Sequence, residues 1–535
     1  MIGLSTNNPS PIKKIAAIDL GTNSFHVVVV EIMSDGSFRR IDDLKEMVVL
    51  AKEGIGRRLS PQAIDRGLSA LQKIKILCDS YRVDEILAYA TSAIREAENG
   101  GEFIQCSIDQ VGIKIRAIPG SMEAELIGYA VQHGLSLDDK PVLMVDIGGG
   151  SVEFILGNKH EFHFLKSLKI GVSRMTDQFN PNDPISEEQI DQIKAFYKQS
   201  LLSVQEALNQ CPTEYILGSS GTMQNIALMM AADQGLDIES FILNEWSFSR
   251  KDFIRFYDSF IKLNRIERQG IPGLDEKRVD FINTGMILVR YLMDEFGLKS
   301  VRISTQALRE GMIIRYLKKE FIGLPGGATP DPRRRSVFEL LRKCNWHEQH
   351  STQVTTLALK LFNALQDSLK LSAEDRELLE YASLMHDIGY YISHSKHHKH
   401  ALYLILNADL KGFREQEIAI MGHVARYHRR STPKKRHEEF AALPKEIRIR
   451  IMRLSGLLRV ADGLDRSHYQ NVKDLSVELN SKTCTITIQT IDEPSLEIWG
   501  AMRKSHLLSQ VLKRKVEVVA MERGKSLHLP HPIAT

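Results

Sequence analysis

Two stretches of the chain share one pattern of apolar and polar positions. Apolar runs flank the polar turn Gly21–Ser24, and residues 142–157 repeat this arrangement 127 positions later, with Asp146 in the place of Asp19. An apolar run, a tight glycine turn and a β-branched run predict a strand, a turn and a second strand. Two copies with an aspartate at the same point predict a duplication into two related half-domains.

The segments between and after the two copies alternate between helical and strand patterns. Residues 61–81 have helical periodicity, residues 85–94 have a strand-like pattern, and a Glu-rich helix is predicted to begin near Ser121. This alternation predicts an α/β fold. A third glycine turn, Ser220–Thr222, follows a short apolar run and precedes a helical one, so a helix N-terminus there could receive an anion.

A change of pattern near residue 330 predicts a second region. Residues 323–335 combine glycine, proline and a basic run, which is typical of a linker. Helical periodicity then continues to about residue 466, whereas the tail contains an alternating run at 483–490 and an apolar run at 516–521. The predicted architecture is two α/β half-domains at 12–135 and 136–322, an all-α domain at 333–470 and a small α+β region at 471–535.

Composition places the chain among globular proteins without membrane spans. It has 535 residues, of which 43% are hydrophobic and 26% charged, and no apolar stretch approaches the roughly 18 residues of a membrane helix. The N-terminus lacks the apolar core of a secretory signal, and the five cysteines form no CxxC pair. We therefore expect a cytoplasmic protein with neither a disulfide framework nor a membrane partner.

The net charge of +3 hides an asymmetry between the two parts of the chain. Residues 331–535 contain 33 Lys and Arg against 24 Asp and Glu, and 14 of the 18 histidines. Such an excess is either a solvated surface or a means of concentrating a polyanion. The basic run at 425–437 contains few aromatic residues for base stacking, so it favours polyphosphate over nucleic acid as the partner.

The three glycine turns suit phosphate binding, because backbone N–H groups supply fixed dipoles and glycine lets the backbone come close. Asp19 and Asp146, each just before a turn, are placed to hold Mg²⁺ beside a phosphate, or else to cap their own turns. Glu153 lies within a predicted strand, where a buried unpaired carboxylate would be costly. It is therefore either a functional residue or an outward-facing one.

The order of seven segments resembles the exopolyphosphatase and guanosine pentaphosphate phosphatase family. The segments are "AAIDLGTNSFHVVV", "AYATSAIREAENG", "IPGSMEAELIGYAV", "VDIGGGSVEF", "LGSSGT", "ERQGIPGLDEKRVDFINTG" and "ALREG". The resemblance spans Ile15 to Tyr316 and resumes at "YHRR" in the C-terminal region. It implies an actin-like, ribonuclease H-like fold of duplicated half-domains around a cleft. It also implies Mg²⁺-dependent removal of the terminal phosphate from inorganic polyphosphate or guanosine pentaphosphate, by a homodimer.

The resemblance implies roles for individual residues of this chain. Glu123 matches the catalytic glutamate that would orient and deprotonate the attacking water, although Met122 replaces its usual acidic neighbour and would thin the negative charge around it. Asp146 and Glu153 match the acidic pair associated with the metal. The residues expected to face phosphate are Gly21, Thr22, Asn23, Ser24, Arg95, Gly148, Gly149, Gly150, Ser151, Ser220, Gly221 and Thr222. The Arg95 guanidinium suits phosphate through two parallel hydrogen bonds, or is simply a surface charge.

A second set of residues, in the C-terminal region, resembles another pattern. His350, the pair His386–Asp387 and Asp462 are similar to the H…HD…D arrangement of metal-dependent HD phosphohydrolases. The resemblance implies an HD-type domain that holds a second divalent metal, for which imidazole and carboxylate are suitable ligands. The histidines that could extend the site are His400, His423 and His428. A lone histidine on an apolar helix is more often a core residue, and the domain could equally be a scaffold and substrate channel.

The principal hypothesis is a Mg²⁺-dependent exopolyphosphatase, and a guanosine pentaphosphate phosphohydrolase fits the same motifs. A sugar or acetate kinase of the same fold would also need paired phosphate turns, but Glu123 and the histidine-rich region disfavour it. A non-catalytic sensor of polyphosphate or nucleotide, which signals through its C-terminal domain, is the alternative from another class.

Overall fold

The computed structural model describes residues 10–34, 36–50, 58–239, 241–320 and 331–521 of the chain. The chain forms two compact units, Met1–Pro332 (the N-terminal unit) and Arg333–Thr535 (the C-terminal unit). The predicted linker lies largely outside the described residues. The basic end of the predicted linker is instead part of a helix, Pro332–Lys343. Arg333 on this helix donates hydrogen bonds to Glu377 Oε2, at 2.5 Å, and to Glu417. These bonds fix the helix to the rest of the C-terminal unit.

The N-terminal unit begins with a five-stranded sheet. Its strands are β1 (Pro11–Leu20), β2 (Ser24–Met33), β3 (Phe38–Met47), β4 (Glu85–Ala90) and β5 (Ile115–Ala117), in the order β3-β2-β1-β4-β5. The accompanying helices are α1 (Pro61–Ser80), α2 (Ser92–Glu96), α3 (Gly100–Val111) and α4 (Gly120–Gly134). The helix predicted at 61–81 and the helix predicted to begin near Ser121 are confirmed to within one residue. The strand predicted at 85–94 is confirmed only over β4, because α2 begins at Ser92.

A second sheet, of six strands, follows in the same unit. Its strands are β6 (Val142–Ile147), β7 (Val152–Gly157), β8 (Phe162–Leu168), β9 (Tyr215–Ser219), β10 (Ser247–Ser249) and β11 (Ser300–Ile303), in the order β10-β11-β9-β6-β7-β8. The helices around it are α5 (Val172–Phe179), α6 (Glu187–Ser200), α7 (Leu202–Gln210), α8 (Ser220–Asp233), α9 (Arg250–Phe260), α10 (Arg265–Gln269), α11 (Ile282–Glu295) and α12 (Leu308–Glu320).

Both sheets are built on one plan, which confirms the predicted duplication. β1, β2 and β3 form an antiparallel meander, and β4 and β5 continue the sheet in parallel on the other side of β1. β6, β7 and β8 form the equivalent meander, and β9 and β11 the equivalent parallel pair. β1 and β6 each lie between an antiparallel and a parallel neighbour, and the carboxyl end of such a strand is where a crevice opens in an α/β sheet.

Among the described residues, three apolar clusters hold the N-terminal unit together. One packs α1 and α3 against the first sheet and includes Phe103. Another packs the later helices against the second sheet and includes Ile287. The third joins the two sheets to α4 and α12, and includes Ile15, Met144 and Met312. α12 belongs to the predicted second half-domain, but it packs against α4 of the first. The boundary between residues 135 and 136 stays a prediction.

The C-terminal unit is helical and ends in a small α+β region. Its helices are α13 (Pro332–Lys343), α14 (Glu348–Leu369), α15 (Ala373–Met385), α16 (His397–Leu406), α17 (Glu415–Arg426), α18 (Glu438–Ala441) and α19 (Lys445–Leu464). The last region contains β12 (Val472–Leu479), β13 (Thr483–Thr490), α20 (Ser495–Lys504), α21 (His506–Leu512) and β14 (Lys515–Ala520), with sheet order β12-β13-β14. In the part of the chain that the structure describes, every helix is too short or too polar to cross a membrane.

Candidate active site and a second polar cluster

The two duplicated glycine turns have the same backbone geometry. After β1, the Gly21 N–H donates a hydrogen bond to Ser24 O over 3.1 Å, and after β6 the Gly148 N–H donates to Ser151 O over 3.0 Å. Each bond closes a tight turn just behind an aspartate, at the carboxyl end of a central strand. The repeat seen in the sequence is therefore a repeat of structure as well.

The two turns lie against each other. Thr22 Oγ1 is 3.2 Å from Ser92 Oγ, and the Asn23 amide donates a hydrogen bond to Ser173 Oγ over 3.1 Å. A Cβ atom on Gly150 would lie 2.3 Å from Ser92 Oγ and 3.1 Å from Thr22 Oγ1. Only glycine permits this approach, so the absence of a side chain at Gly150 lets the two turns line one cleft.

A third turn completes this cleft. Ser220–Thr222 form the first turn of α8, whose free backbone N–H groups and dipole favour an anion. Ser220 has a φ of 82°, a left-handed conformation that costs energy for a residue with a side chain. The cleft has a volume of about 310 Å³. The predicted phosphate-facing residues that line it are Gly21, Thr22, Asn23, Ser24, Gly148, Gly149, Gly150, Ser151, Ser220, Gly221 and Thr222.

Five carboxylates also line the cleft, namely Asp275 and an acidic set of four, Asp19, Glu123, Asp146 and Glu153. Asp19 lies near the end of β1, and Glu123 lies in the first turn of α4. Asp146 and Glu153 are direct partners in the antiparallel pair of β6 and β7. Glu123, Asp146 and Glu153 are each at most 9% exposed. The strand residue Glu153 thus faces the cleft and not the solvent.

Burial raises the pKa of every carboxyl group in this set. It raises the pKa of Asp19 and of Asp146 to about 6. It raises the pKa of Glu123 to about 7, and that of Glu153 well above the usual range of a glutamate. Four such groups do not all ionise at neutral pH unless a cation offsets their charge. The set has the charge and the oxygen ligands that a hard divalent cation requires.

Two serines orient the acidic pair on β6 and β7. Ser219 Oγ donates a hydrogen bond to Asp146 Oδ2 over 2.6 Å, and Ser167 Oγ donates one to Glu153 Oε1 over 2.7 Å. Hydroxyl groups fix the direction of a carboxylate without neutralising it. The two carboxyl groups therefore keep a fixed orientation towards a metal or a proton.

Arg95 lies against the predicted catalytic glutamate. Its Nη1 donates hydrogen bonds to Glu123 Oε2 and to Ile118 O, each over 2.9 Å. Arg95 is outside the set of residues that line the cleft. Its predicted phosphate contact stays a prediction, because in this arrangement the guanidinium orients a carboxylate. The same contact lowers the pKa of Glu123, against the larger effect of burial.

Four cationic side chains that the sequence did not indicate also line the cleft, namely Lys45, Lys277, Arg278 and Arg309. Arg278 Nη1 donates to Thr222 Oγ1 over 3.3 Å, at the third glycine turn. Arg309 Nη1 is buried and has no hydrogen-bond partner among the described residues. Arg278 and Arg309 lie in "DEKRVD" and "ALREG", segments that carry the family resemblance, so these segments contained the signal for both.

In the C-terminal unit, the four predicted metal ligands come together from separate helices. His350 lies on α14, His386 and Asp387 directly follow α15, and Asp462 lies on α19. His350 Nε2 is 3.7 Å from both Asp387 Oδ2 and Asp462 Oδ1, and His386 Nε2 is 3.5 Å from Asp387 Oδ2. All four side chains are buried. We call these four residues the histidine–aspartate cluster.

Hydrogen bonds orient both histidines of the cluster. His350 Nδ1 is 2.7 Å from Asp465 Oδ2, and His386 Nδ1 is 2.7 Å from Ser383 O. When Nδ1–H donates to these oxygens, Nε2 keeps a lone pair. Both Nε2 atoms are buried without a hydrogen-bond partner in the described part of the chain. The donor set therefore fits a divalent transition metal.

The charges around the cluster favour a cation at its centre. Burial alone would lower the pKa of His350, but Asp465, Asp462 and Asp387 together raise it. A cation bound beside His350 Nε2 would be stabilised by the negative charge of the same three carboxylates. Burial would raise the pKa of Asp462, but its ion pair with Lys504 lowers that pKa below the usual range. Asp462 is thus held in the ionised form that a metal ligand needs.

The other histidines predicted to extend this site behave differently from one another. His428 Nε2 lies 3.5 Å from Asp387 Oδ1, beside the cluster. His423 stacks on an aromatic ring instead, and His400 belongs to neither group of potential metal ligands found among the described residues. His397 Nε2, which the sequence did not indicate, lies 3.2 Å from Asp387 Oδ1. Its only signal was the histidine-rich run "HSKHHKH".

The basic run at 425–437 is not a uniform solvated surface. α17 ends at Arg426, whose Nη1 donates to Glu439 Oε2 over 2.8 Å. Arg429 Nη1 donates to His397 Nε2 over 3.1 Å. Part of the charge of this run is therefore already paired within the C-terminal unit.

Family models match both units of the chain. The model of the Ppx/GppA phosphatase family matches residues 28–320, and that of Ppx/GppA phosphatase, domain III, matches residues 333–509. The chain belongs to the Ppx/GppA phosphatase family. It is therefore an enzyme, a phosphoanhydride hydrolase. Most residues that line the cleft lie within the first matched range of this Ppx/GppA protein, which begins after the first glycine turn, and the histidine–aspartate cluster lies within the second.

Ppx/GppA relatives that are named for different activities resemble this chain. A guanosine-5′-triphosphate,3′-diphosphate pyrophosphatase of Photobacterium profundum is 28% identical over 447 residues, which are 83% of this chain and 84% of that protein. The crystal structure of an exopolyphosphatase from Cytophaga hutchinsonii is 31% identical, with a TM-score of 0.54, over 57% of this chain and 98% of that one. A family member from Aquifex aeolicus is 26% identical, with a TM-score of 0.50, over 58% of this chain and 99% of that one. These likenesses confirm the predicted actin-like α/β fold, whereas the HD-type identity of the helical region stays a prediction.

Met122 is the departure from the pattern expected of the Ppx/GppA family. Its side chain packs in the apolar cluster that joins the two sheets, and it does not line the cleft. The expected thinning of charge around Glu123 stays a prediction.

Proposed function

We propose that this Ppx/GppA phosphatase is a Mg²⁺-dependent exopolyphosphatase, which releases orthophosphate from the end of inorganic polyphosphate. The observation that carries the proposal is the cleft, in which five carboxylates and three glycine turns face one small volume. The likeness to the exopolyphosphatase from Cytophaga hutchinsonii, at 31% identity, supports the same activity. Membership of a phosphatase family argues against the kinase and the non-catalytic sensor.

Mg²⁺ fits the acidic side of the cleft. Asp146 and Glu153 supply carboxylate oxygens from adjacent strands, and Asp19 lines the same volume. Mg²⁺ prefers oxygen ligands and usually binds through one or two carboxylates together with substrate phosphates. Bound there, it would offset the negative charge of the phosphoryl oxygens.

Different residues in and beside the cleft would activate the water, position the base and bind the phosphoryl oxygens. Glu123 would orient a water molecule and take its proton as the water oxygen attacks the terminal phosphorus. The bond from that phosphorus to the bridging oxygen then breaks, so orthophosphate and the shortened polyphosphate leave without a covalent enzyme intermediate. Arg95 holds Glu123 in place. Backbone N–H groups of the turns, with Arg278 and Arg309, would hold the phosphoryl oxygens.

A guanosine pentaphosphate phosphohydrolase is the second candidate. It is favoured by the relative from Photobacterium profundum, whose similarity extends over 83% of this chain. The chemistry of the cleft would be the same, because both substrates carry terminal phosphoanhydrides. The excess of Lys and Arg in residues 331–535, 33 against 24 Asp and Glu, favours the longer polyanion, since more of its phosphates can contact cations.

A phosphate-release panel separates the two candidates. The purified chain is given Mg²⁺ with polyphosphates of increasing length or with guanosine pentaphosphate. We expect kcat/KM to rise with polyphosphate length, and the affinity for long chains to fall more steeply with salt, because multiple phosphate contacts release counterions. A higher kcat/KM for guanosine pentaphosphate than for every polyphosphate would assign the second function.

We also propose that the histidine–aspartate cluster holds a divalent metal through His350, His386, Asp387 and Asp462. The buried, unpartnered Nε2 atoms of its two histidines support this.

We also propose that the protein forms a homodimer and is located in the cytoplasm. Light scattering on the purified chain tests the oligomeric state, and a monomeric mass would contradict the homodimer.

A further inference from the structure

The carbonyl groups of the second glycine turn are held from the side of α5. The first two N–H groups of this helix donate hydrogen bonds to Gly148 O and Gly149 O, over 3.0 and 2.9 Å. The third carbonyl is held by a side chain, because Arg174 Nε donates to Gly150 O over 2.9 Å. Three successive carbonyl groups of the turn are therefore bound by the first turn of α5.

This arrangement sets the direction of the N–H groups of the same turn. In a trans peptide the carbonyl group and the following N–H point in opposite directions. The N–H groups of Gly149, Gly150 and Ser151 therefore point away from α5, and these three residues line the cleft. Backbone N–H groups are the part of such a turn that binds phosphate. Arg174 thus orients the last of the three, the N–H of Ser151.

Glu96 in turn holds Arg174. Arg174 Nη2 donates a hydrogen bond to Glu96 Oε2 over 2.9 Å, and the two side chains are only 17% and 10% exposed. Glu96 is the last residue of α2, which follows β4 of the first sheet, whereas α5 follows β8 of the second sheet. The ion pair therefore joins the helices that the two sheets contribute beside the cleft. Salt screens such a partly buried pair less than an exposed one.

The same carboxylate lies beside the arginine that orients the predicted base. Glu96 Oε1 is buried without a hydrogen-bond partner among the described residues, and Arg95 Nη2 is 4.0 Å from it. Arg95 donates to Glu123 through its other terminal nitrogen. Glu96 thus lies between one guanidinium that holds Glu123 and another that holds Gly150. The positions of the base and of the phosphate turn depend on one carboxylate.

We propose that Glu96 and Arg174 are positioning residues for the hydrolysis, and that their ion pair orients the Gly150–Ser151 peptide with its N–H towards the terminal phosphate. This rests on the cleft being the active site, as proposed above, but it applies equally to polyphosphate and to guanosine pentaphosphate. Lys169 Nζ also lies 3.0 Å from Glu96 Oε2, but Lys169 is 68% exposed. An exposed ion pair contributes little, so Lys169 is not part of the device.

Phosphate binding tests the proposal without depending on turnover. The affinity for inorganic tripolyphosphate is measured by calorimetry with Mg²⁺, in full-length Glu123→Gln protein with and without a second substitution. Arg174→Met should raise the Kd about tenfold or more, because it removes a hydrogen bond from a charged group that fixes the turn. Arg174→Lys keeps the charge but lacks the rigid fork that reaches Gly150 O and Glu96 together, so its Kd should be intermediate. Lys169→Met is the matched control and should keep the Kd of the parent protein.

Kinetics of the same substitutions in the chain with Glu123 intact separate positioning from a structural role. Arg174→Met should lower kcat/KM at least tenfold, since contacts to phosphoryl oxygens strengthen in the transition state. The acidic limb of its pH profile should not move, because Arg95 still holds Glu123. Adding Glu96→Gln to Arg174→Met should cause little further loss, as expected of two residues that act as one unit. A merely structural pair would lower the melting temperature and leave the Kd and kcat/KM unchanged.

The outcomes keep this proposal apart from the proposed function. An unchanged Kd in a folded Arg174→Met variant would overturn it, and fully additive losses in the double variant would contradict the ion pair as the unit. If Arg174→Met does not fold, Arg174→Lys decides, and a Kd equal to that of the parent protein would again overturn the proposal. A wild type that binds tripolyphosphate but releases phosphate from neither polyphosphate nor guanosine pentaphosphate would contradict the proposed function alone. A wild type that does not bind tripolyphosphate would contradict both.

Discussion

The Arg95 guanidinium donates a hydrogen bond to Glu123 Oε2 over 2.9 Å. A second bond from the same nitrogen, also of 2.9 Å, ends on Ile118 O, so the backbone fixes the arginine while the arginine fixes the carboxylate. Burial raises the pKa of Glu123 to about 7, and Arg95 opposes that rise. If Glu123 is the base, Arg95 is a positioning residue that also keeps it ionised.

Arg95→Met should lower kcat with little change in KM, and should move the acidic limb of the kcat/KM profile to higher pH. Removing a positive neighbour raises the pKa of Glu123, and a base must be deprotonated to act, so the variant needs a more alkaline solution. Arg95→Lys should restore part of this shift. A large rise in KM with an unchanged pH profile would instead support the phosphate contact predicted from the sequence.

Asp146→Asn and Glu153→Gln should each raise the Mg²⁺ concentration needed for half-maximal activity, by roughly tenfold or more. Each change removes an anionic ligand and hardly alters the volume of the side chain. Mg²⁺ titration of phosphate release measures the effect. Asp139→Asn is a suitable control, because Asp139 is exposed and pairs with Lys159 outside the cleft. Unchanged titrations in both cleft variants would show that these carboxylates are structural.

Arg309→Met should raise the KM for polyphosphate by about tenfold or more, because a hydrogen bond to a charged group contributes about 1.5–3 kcal/mol. The buried Nη1 of Arg309 has no partner among the described residues and lines the cleft. Arg315→Met is the matched control, since Arg315 lies on the same helix but binds Glu125 Oε2 at 2.8 Å. Steady-state kinetics would contradict the role if both variants kept the wild-type KM.

Short-range sequence was sufficient to predict the elements that flank the glycine turns of the N-terminal unit. The turns after β1 and β6 are set by glycines that directly follow apolar strands, so the local pattern contains nearly all the information. The position of α12 depends instead on its packing against α4, far away in the sequence. Arg309 reaches the cleft from α12, so the segment "ALREG" carried the family resemblance but did not by itself show that this side chain lines the cleft.

Side-chain partners were harder to predict than elements. The Arg95 guanidinium can bind either a phosphate or a carboxylate. Which of the two it contacts depends on where α4, which carries Glu123, begins relative to α2, which carries Arg95. His397 lies in a histidine-rich run that is typical of a polar loop, and only the packing of the helices brings it to Asp387. The four residues of the histidine–aspartate cluster were predictable because their spacing, and not their surroundings, carries the resemblance.

His423 should contribute to the dependence of stability on pH. Its side chain is 2% exposed and stacks on Tyr427, and burial lowers its pKa from 6.5 to about 4. The unfolded chain binds a proton more readily, so this contribution is fully present above pH 6.5 and is lost as the pH falls towards 4. The loss is on the order of 3 kcal/mol. His423→Phe keeps the aromatic contact but cannot titrate, and its unfolding by denaturant should be less sensitive to acid. Identical pH dependence of the two proteins would rule this out.

The most direct test of the cleft as the active site compares orthophosphate release from long polyphosphate by the wild type and by Glu123→Gln, at saturating Mg²⁺. Glutamine keeps the size of the side chain and an oxygen for Arg95, but it cannot take a proton from water. Glu125→Gln, on the same helix and paired with Arg315, is the control that should keep the wild-type rate. We predict rapid release by the wild type and a decrease of roughly 10²- to 10⁴-fold in Glu123→Gln, with polyphosphate binding retained. A wild type that releases no phosphate from polyphosphate, or a Glu123→Gln variant that keeps its rate, would contradict the assignment.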